Sequence, residues 1–175
     1  MSGCMSGFGG LVSGKLSVGL NQLKNEHPSL LDKLEGIFSL VKQIETEYQA
    51  ENPFNRLKEK VSEFMAELGP HSEREEGVLF PMMGTYIGTT SGPIAVMEYE
   101  HDQAKKLIGT FIEQTSAKDE ISEQKIKELA GFIKNAYFIL TEHFSKEENV
   151  LFPMAERMLS EEEKAELFRR IQEIK

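Results

Sequence analysis

The sequence predicts an all-α protein, an up-down four-helix bundle with a short N-terminal lead-in and a C-terminal helix. Apolar residues recur at three- and four-residue spacing through four long segments, which are joined by short stretches rich in polar residues, Gly and Pro. Glu, Lys, Leu and Ile are abundant and only six prolines occur, a composition that favours helices over strands. At 175 residues the chain is long enough for one domain with a sizeable core and too short for two ordinary ones.

Residues 1 to 14 are rich in Gly and Ser without a sustained period, and are expected to form a flexible tail. Cys4 lies in that tail with no neighbouring charge to activate its thiol, so a bystander role is expected for it. Leu16, Leu20 and Leu23 suggest the helical lead-in. Pro28 fits the first position of a helix and puts His27 at its N-terminal boundary. Leu30, Leu31, Leu34, Ile37, Phe38, Val41 and Ile44 then carry the first long helix over about 28 to 50. Asn52-Pro53 reads as a capping residue followed by a first-turn proline. The second helix runs through Leu57, Val61, Phe64 and Leu68 to Pro70, read as a kink or break, and helix resumes over 71 to 80 until Pro81.

Residues 84 to 93, with Gly84, Gly88, Gly92 and Pro93, form the clearest loop and the junction between two halves. Ile94, Met97, His101, Leu107, Ile108, Phe111 and Ile112 mark a third helix over about 94 to 116, and Ser116 to Asp119 a polar connection. A fourth helix over about 120 to 155 is carried by Ile121, Ile126, Leu129, Phe132, Ile133, Ala136, Ile139, Leu140 and His143. Ser160 and Glu163 have capping-box spacing and open a final helix near 161 to 174.

The net charge of −9, with no concentrated basic face, excludes nucleic acid and anionic lipid as natural partners. No run approaches the roughly 18 apolar residues of a membrane helix, and the first charged residue is Lys15, so a signal-peptide basic region is missing too. A cytoplasmic location is expected. With Cys4 as the only cysteine, an internal disulfide or a cysteine-based zinc or iron–sulfur site within one chain is excluded, and any bound metal is held by nitrogen and oxygen.

The chemistry lies in a repeat. His71-Ser-Glu-Arg-Glu75-Glu76-Gly-Val78-Leu79-Phe80-Pro81-Met82 returns as His143-Phe-Ser-Lys-Glu147-Glu148-Asn-Val150-Leu151-Phe152-Pro153-Met154, displaced by 143 − 71 = 72 positions. Glu26-His27 and Glu100-His101 are separated by 101 − 27 = 74, so all four histidines fall into two matching half-sets. His-x-x-x-Glu on a helix places an imidazole and a carboxylate one turn apart on the same face. Two such copies converging in a bundle core are how helical bundles present metal ligands.

If His27, His71, His101, His143, Glu75 and Glu147 converge, four nitrogens and up to four oxygens suit two metal ions bridged by the carboxylates better than one. Mixed imidazole and carboxylate ligation suits iron or manganese; structural zinc usually recruits cysteine, and calcium and magnesium avoid imidazole. A bridging oxide or hydroxide would complete the charge balance in a low-dielectric interior. Some of Glu26, Glu76, Glu100, Glu142 and Glu148 are expected to accept imidazole N–H bonds or relay protons. A single His-x-x-x-Glu on an acidic helix is usually a solvated pair, and it is the repeat that tips the reading toward metal. A haem held by two histidines would leave both paired glutamates without a role. The Val-Leu-Phe-Pro-Met segments are expected to pack the core, and Tyr99 and Tyr137 fall off the ligand face.

At these residues the chain resembles the hemerythrin-like domain of the HHE cation-binding family, whose pattern is His … His-x-x-x-Glu … His … His-x-x-x-Glu. The resemblance covers about residues 16 to 156 and makes 15 to 175 one hemerythrin-like domain. It implies a non-haem di-iron centre, oxo- or hydroxo-bridged when oxidised, with His27, His71 and Glu75 from one half and His101, His143 and Glu147 from the other. Oxygen-carrying hemerythrins place His-x-x-x-His on the third helix, whereas here Lys105 follows His101 at that spacing. Six protein ligands instead of seven favour exchange, redox turnover or iron loss over reversible oxygen storage. Iron–sulfur cluster repair proteins of the same superfamily are similar in using this four-His, two-Glu set, though they carry an N-terminal cysteine-bearing domain where this sequence has only Cys4 in its tail. The expected function is reaction with oxygen, peroxide or nitric oxide, with electrons from an external donor, in sensing, scavenging or iron-centre repair. The alternative is a non-enzymatic iron-responsive module whose folding depends on metal, and an inert helical adaptor is a third.

Overall fold

The computed structural model describes residues 14–175; the expected tail and Cys4 lie almost entirely, and Cys4 wholly, outside the described residues. The described residues form helices α1 (Val18–Thr46), α2 (Glu51–Arg74), α3 (Phe80–Ile87), α4 (Gly92–Ser116), α5 (Glu123–Lys146), α6 (Phe152–Met158) and α7 (Glu161–Ile171). A single π-helical turn, Glu75–Leu79, joins α2 to α3 without a break, and another, Glu147–Leu151, joins α5 to α6. The long helices α1, α2, α4 and α5 make the bundle; α1 packs on α2 and α5, α4 packs on α5, and α7 folds back against α1. The four-helix prediction holds, and no helix among the described residues is long and apolar enough to cross a membrane.

Several boundaries differ from expectation. The lead-in and first helix are one element, so His27 sits inside α1 and Pro28 is an interior proline. Proline there removes one hydrogen bond to the carbonyl of Lys24, but Pro28 lies on the exposed face, where that loss costs less than it would in the core. The stripe of Leu20, Leu23, His27, Leu30 and Leu34 is fully or almost fully buried and keeps the helix continuous through it. Asn52 does not cap α2, which starts two residues earlier, at Glu51 behind Ala50. Helix α2 also continues through Pro70.

Neither Pro81 nor Pro153 ends its helix. In each case the N–H of the preceding phenylalanine donates to the carbonyl five residues back, Phe80 to Glu75 and Phe152 to Glu147. The wider turn moves aside the carbonyl that a proline ring would strike in an α-helix, so each proline follows a π turn with its steric conflict relieved. The predicted loop shrinks to residues 88–91, because Gly84 is the last-turn acceptor of α3, bonded by the Gly88 N–H at 2.8 Å. A Cβ on Gly84 would lie 2.5 Å from the Thr89 methyl group, so a larger residue there would force the exposed Thr89 side chain to move. The Ser160–Glu163 capping box forms as predicted.

The core is divided in two. Below lie Leu34, Ile37, Leu57, Phe64, Phe111, Leu140 and their neighbours; above lie Leu20, Leu23, Phe80, Ile94, Phe152, Leu167 and theirs. Between them is a layer of fully or almost fully buried polar side chains, His27, His71, Glu75, His101, His143 and Glu147.

Candidate metal centre

Each long helix contributes one imidazole to this layer, and the two π turns contribute the carboxylates. Glu75 and Glu147 open their turns one helical turn after His71 and His143, so the i, i+4 spacing aims both members of each pair inward. Glu75 Oε1 lies 3.4 Å from His71 Nε2, and its other oxygen lies 3.5 Å from His101 Nε2. Glu147 likewise divides its oxygens, Oε1 at 2.8 Å from His143 Nε2 and Oε2 at 3.1 Å from His27 Nε2. Two overlapping groups of donors result, His27–His71–Glu75–Glu147 and Glu75–His101–His143–Glu147, each with its four donor atoms within 4.8 Å of one another.

The outward nitrogen of every imidazole is held by a different glutamate. His71 Nδ1 lies 2.7 Å from Glu26, His101 Nδ1 2.7 Å from Glu76, His143 Nδ1 2.9 Å from Glu100, and His27 Nδ1 2.8 Å from Glu148. A carboxylate only accepts, so each ring carries its proton on Nδ1 and turns the Nε2 lone pair toward the centre. The supports run in a closed ring. Helix α1 lends Glu26 to α2, the turn after α2 lends Glu76 to α4, α4 lends Glu100 to α5, and the turn after α5 lends Glu148 to α1. The adjacent glutamates 75 and 76 thus meet opposite nitrogens of His101, and 147 and 148 meet opposite nitrogens of His27.

The four Nε2 atoms and all four oxygens of Glu75 and Glu147 are buried and have no hydrogen-bond partner of suitable geometry. Buried polar atoms are rarely left in that state, and eight facing one another fit a site shaped for cations. The electrostatics agree. Burial, followed by the charge of Glu147, pushes the Glu75 carboxyl well above the usual carboxylate range. Burial also acts to raise Glu147, but the charge and close approach of His143 and the contacts of His27 and His71 overcome it, leaving Glu147 ionised to low pH. Burial likewise pushes the His101 imidazole down, with Glu76 opposing. Phe144 and Phe152 flank His27 at ring-centre distances of 4.6 and 5.6 Å, and Phe80 stacks on His101 at 5.8 Å, keeping water from the layer.

All six side chains named from sequence therefore come together. Of the five nearby glutamates, Glu142 does not join; it is exposed. Tyr137 packs on Phe38 and donates to Glu35, while Tyr99 is largely exposed rather than packed. Sequence reading missed the cations behind the supports. Arg74 bonds Glu26 at 3.1 Å, Lys105 bonds Glu76 at 2.7 Å, and Lys146 bonds Glu100. Arg74 and Lys146 each follow a repeat histidine by three residues, a matched signal the repeat contained.

Fold and donors together define a class, helical bundles with a buried His/Glu centre suited to cations. The model of the Hemerythrin HHE cation binding domain matches residues 18–155, and the chain belongs to that family. It is similar to the iron-sulfur cluster repair protein YtfE of Salmonella schwarzengrund, 38% identical over 92 residues, and to that of Escherichia coli, 39% identical over 92 residues. The matched stretch covers 51% of this chain and 42% of each relative, so the chain spans less than half the length of these relatives.

Proposed function

We propose that residues 15–175 act as one domain that holds two iron ions, with His27 and His71 at one position, His101 and His143 at the other, and Glu75 and Glu147 bridging the two. The observation that carries this reading is the division of each carboxylate's oxygens between the two histidine pairs. A mononuclear site gives no reason for both carboxylates to span the gap. Manganese tolerates the same donors and is the alternative metal.

Iron held there supplies reversible one-electron chemistry and coordination positions open to a small ligand such as oxygen, peroxide or nitric oxide. The chain's own residues orient and protect the site. Glu26, Glu76, Glu100 and Glu148 fix the imidazole tautomers and raise their basicity as donors. Phe80, Phe144 and Phe152 exclude water. Lys105, which stands where oxygen carriers have a histidine, is engaged with Glu76 and is not a donor to the centre. The domain senses or scavenges the small ligand or serves iron-centre repair, with electrons from an external donor; similarity to repair proteins favours the last role.

The test is metal analysis of protein purified without added metal, with absorption spectra before and after reduction. About two irons per chain with reducible near-ultraviolet bands support the reading; no metal after anaerobic incubation with ferrous iron refutes it. One observation favours a second reading, an iron-responsive module. Eight unpartnered buried polar atoms between two apolar cores make the bundle's stability depend on occupancy. A large iron-dependent gain in protease resistance without turnover of peroxide or nitric oxide would favour it.

A further inference from the structure

The two histidine pairs are built alike, but the charge behind them is not. At the His101–His143 position both supporting carboxylates are neutralised, Glu76 by Lys105 and Glu100 by Lys146. At the His27–His71 position Glu26 is neutralised by Arg74, whereas no Lys or Arg pairs with Glu148 among the described residues. Glu75 and Glu147 are shared by both positions and cancel from the comparison. The His27–His71 position therefore carries one uncompensated negative charge, hydrogen-bonded to the ring of one of its own donors.

The difference has a single origin in the sequence. Lys105 stands four residues after His101 and reaches the glutamate that supports His101. The equivalent residue four after His27 is Leu31, partly buried against the lower core and without charge to offer Glu148. Arg74 and Lys146 occupy the same repeat position and cancel.

Resting on the di-metal reading above, we infer that the two metal positions have unequal affinities, the His27–His71 position filling first and holding its cation more tightly because Glu148 pairs with no Lys or Arg among the described residues. An unneutralised carboxylate on an imidazole N–H makes the ring a stronger donor and adds direct attraction for a cation. Deleting an outer carboxylate of this kind typically changes metal affinity about 10- to 100-fold; leaving one without a cation at a partly exposed site is a fraction of that, so the expected gap between the two positions is about 3- to 10-fold.

The experiment uses the full chain stripped of metal and given cobalt(II), read by equilibrium titration and by anomalous scattering from crystals loaded with one equivalent. The expected result is two affinities at least about threefold apart, with the single equivalent mainly between His27 and His71. Leu31→Lys should weaken the tighter position toward the other, and Lys105→Leu should tighten the weaker one; each narrows the gap from a different side. The Lys105→Leu arm stands even if a buried lysine at 31 compromises folding. Even occupancy by the first equivalent, occupancy between His101 and His143, or a gap unchanged in Lys105→Leu overturns the inference while leaving the di-metal reading intact. Failure to bind any metal overturns both.

Discussion

Replacing Glu75 with glutamine should stabilise the metal-free protein and destabilise the loaded one. Glu75 is fully buried, neither oxygen has a hydrogen-bond partner, and an oxygen of Glu147 lies within 4.8 Å. Ionised together, two carboxylates at that separation would repel by about 3 kcal/mol at an effective dielectric of ~20, so the metal-free chain either bears that repulsion or holds a proton on Glu75 at a cost that grows with pH. The surrounding imidazoles offset part of this, leaving a gain of about 2 kcal/mol for the amide, which loses no hydrogen bond. For a domain of this size that is a rise in melting temperature of about 4–8 °C in chelator. The gain grows with pH. Burial and the Glu147 charge keep the Glu75 proton on well above the usual carboxylate range. Over that window the folded metal-free chain binds one proton more than the unfolded chain, so wild-type stability falls as pH rises, by at most about 1.4 kcal/mol per unit, and the variant escapes this loss. With ferrous iron under anaerobic conditions the order reverses, because a thousandfold loss of metal retention removes about 4 kcal/mol of linked stability. Thermal denaturation followed by circular dichroism, with chelator and with iron, measures both arms. A variant that melts below wild type in chelator would refute the reasoning, since Glu75 would then be a satisfied structural carboxylate.

Other perturbations probe the frame around the site. Phe64→Ala empties part of the lower core, where Phe64 is 1% exposed, and should cost about 3–5 kcal/mol in urea denaturation. Gly19→Val should cost about 1–3 kcal/mol and loosen α7, since a Cβ at that position would sit 3.2 Å from the Phe168 backbone; faster amide exchange confined to 161–171 is the readout. Glu156 accepts the Ser17 N–H and a bond from Lys164, tying the start of α1 to α6 and α7. Burial opposes these bonds, yet they hold its carboxyl below the usual range. Its contribution is present above the unfolded carboxylate pKa and fades as pH falls through the lower folded one. The stability difference between wild type and Glu156→Gln should therefore be present at neutral pH and close in acid; a difference that persists there would refute the assignment.

Much of this was legible because the determinants are local. Apolar spacing located the four long helices, and the Ser160–Glu163 box formed where its spacing placed it. The repeat named the six side chains of the buried layer because i, i+4 geometry needs no knowledge of the tertiary fold. What escaped depends on which face of a helix meets a neighbour. Pro28 is tolerated inside α1 because it faces solvent, a fact no local motif holds. Glu26, Glu100 and Glu142 all precede a histidine, yet only the first two lie beside the next helix's imidazole. The π turns arise from a proline ring meeting a carbonyl in a helix that packing forbids to end.

The ring of supports is unchanged when the two halves of the chain are exchanged. Residues 18–87 contain Glu26, His27, His71, Glu75 and Glu76, which is half of every element in the buried layer. Two copies of such a helical hairpin, related by a two-fold axis, would close the same ring with no residue borrowed from elsewhere. A dimer of identical hairpins must carry the same side chain at both equivalent positions, so its two groups of donors are equal by symmetry. One covalent chain lifts that constraint, and a leucine at 31 opposite a lysine at 105 is a difference that only the fused form can hold.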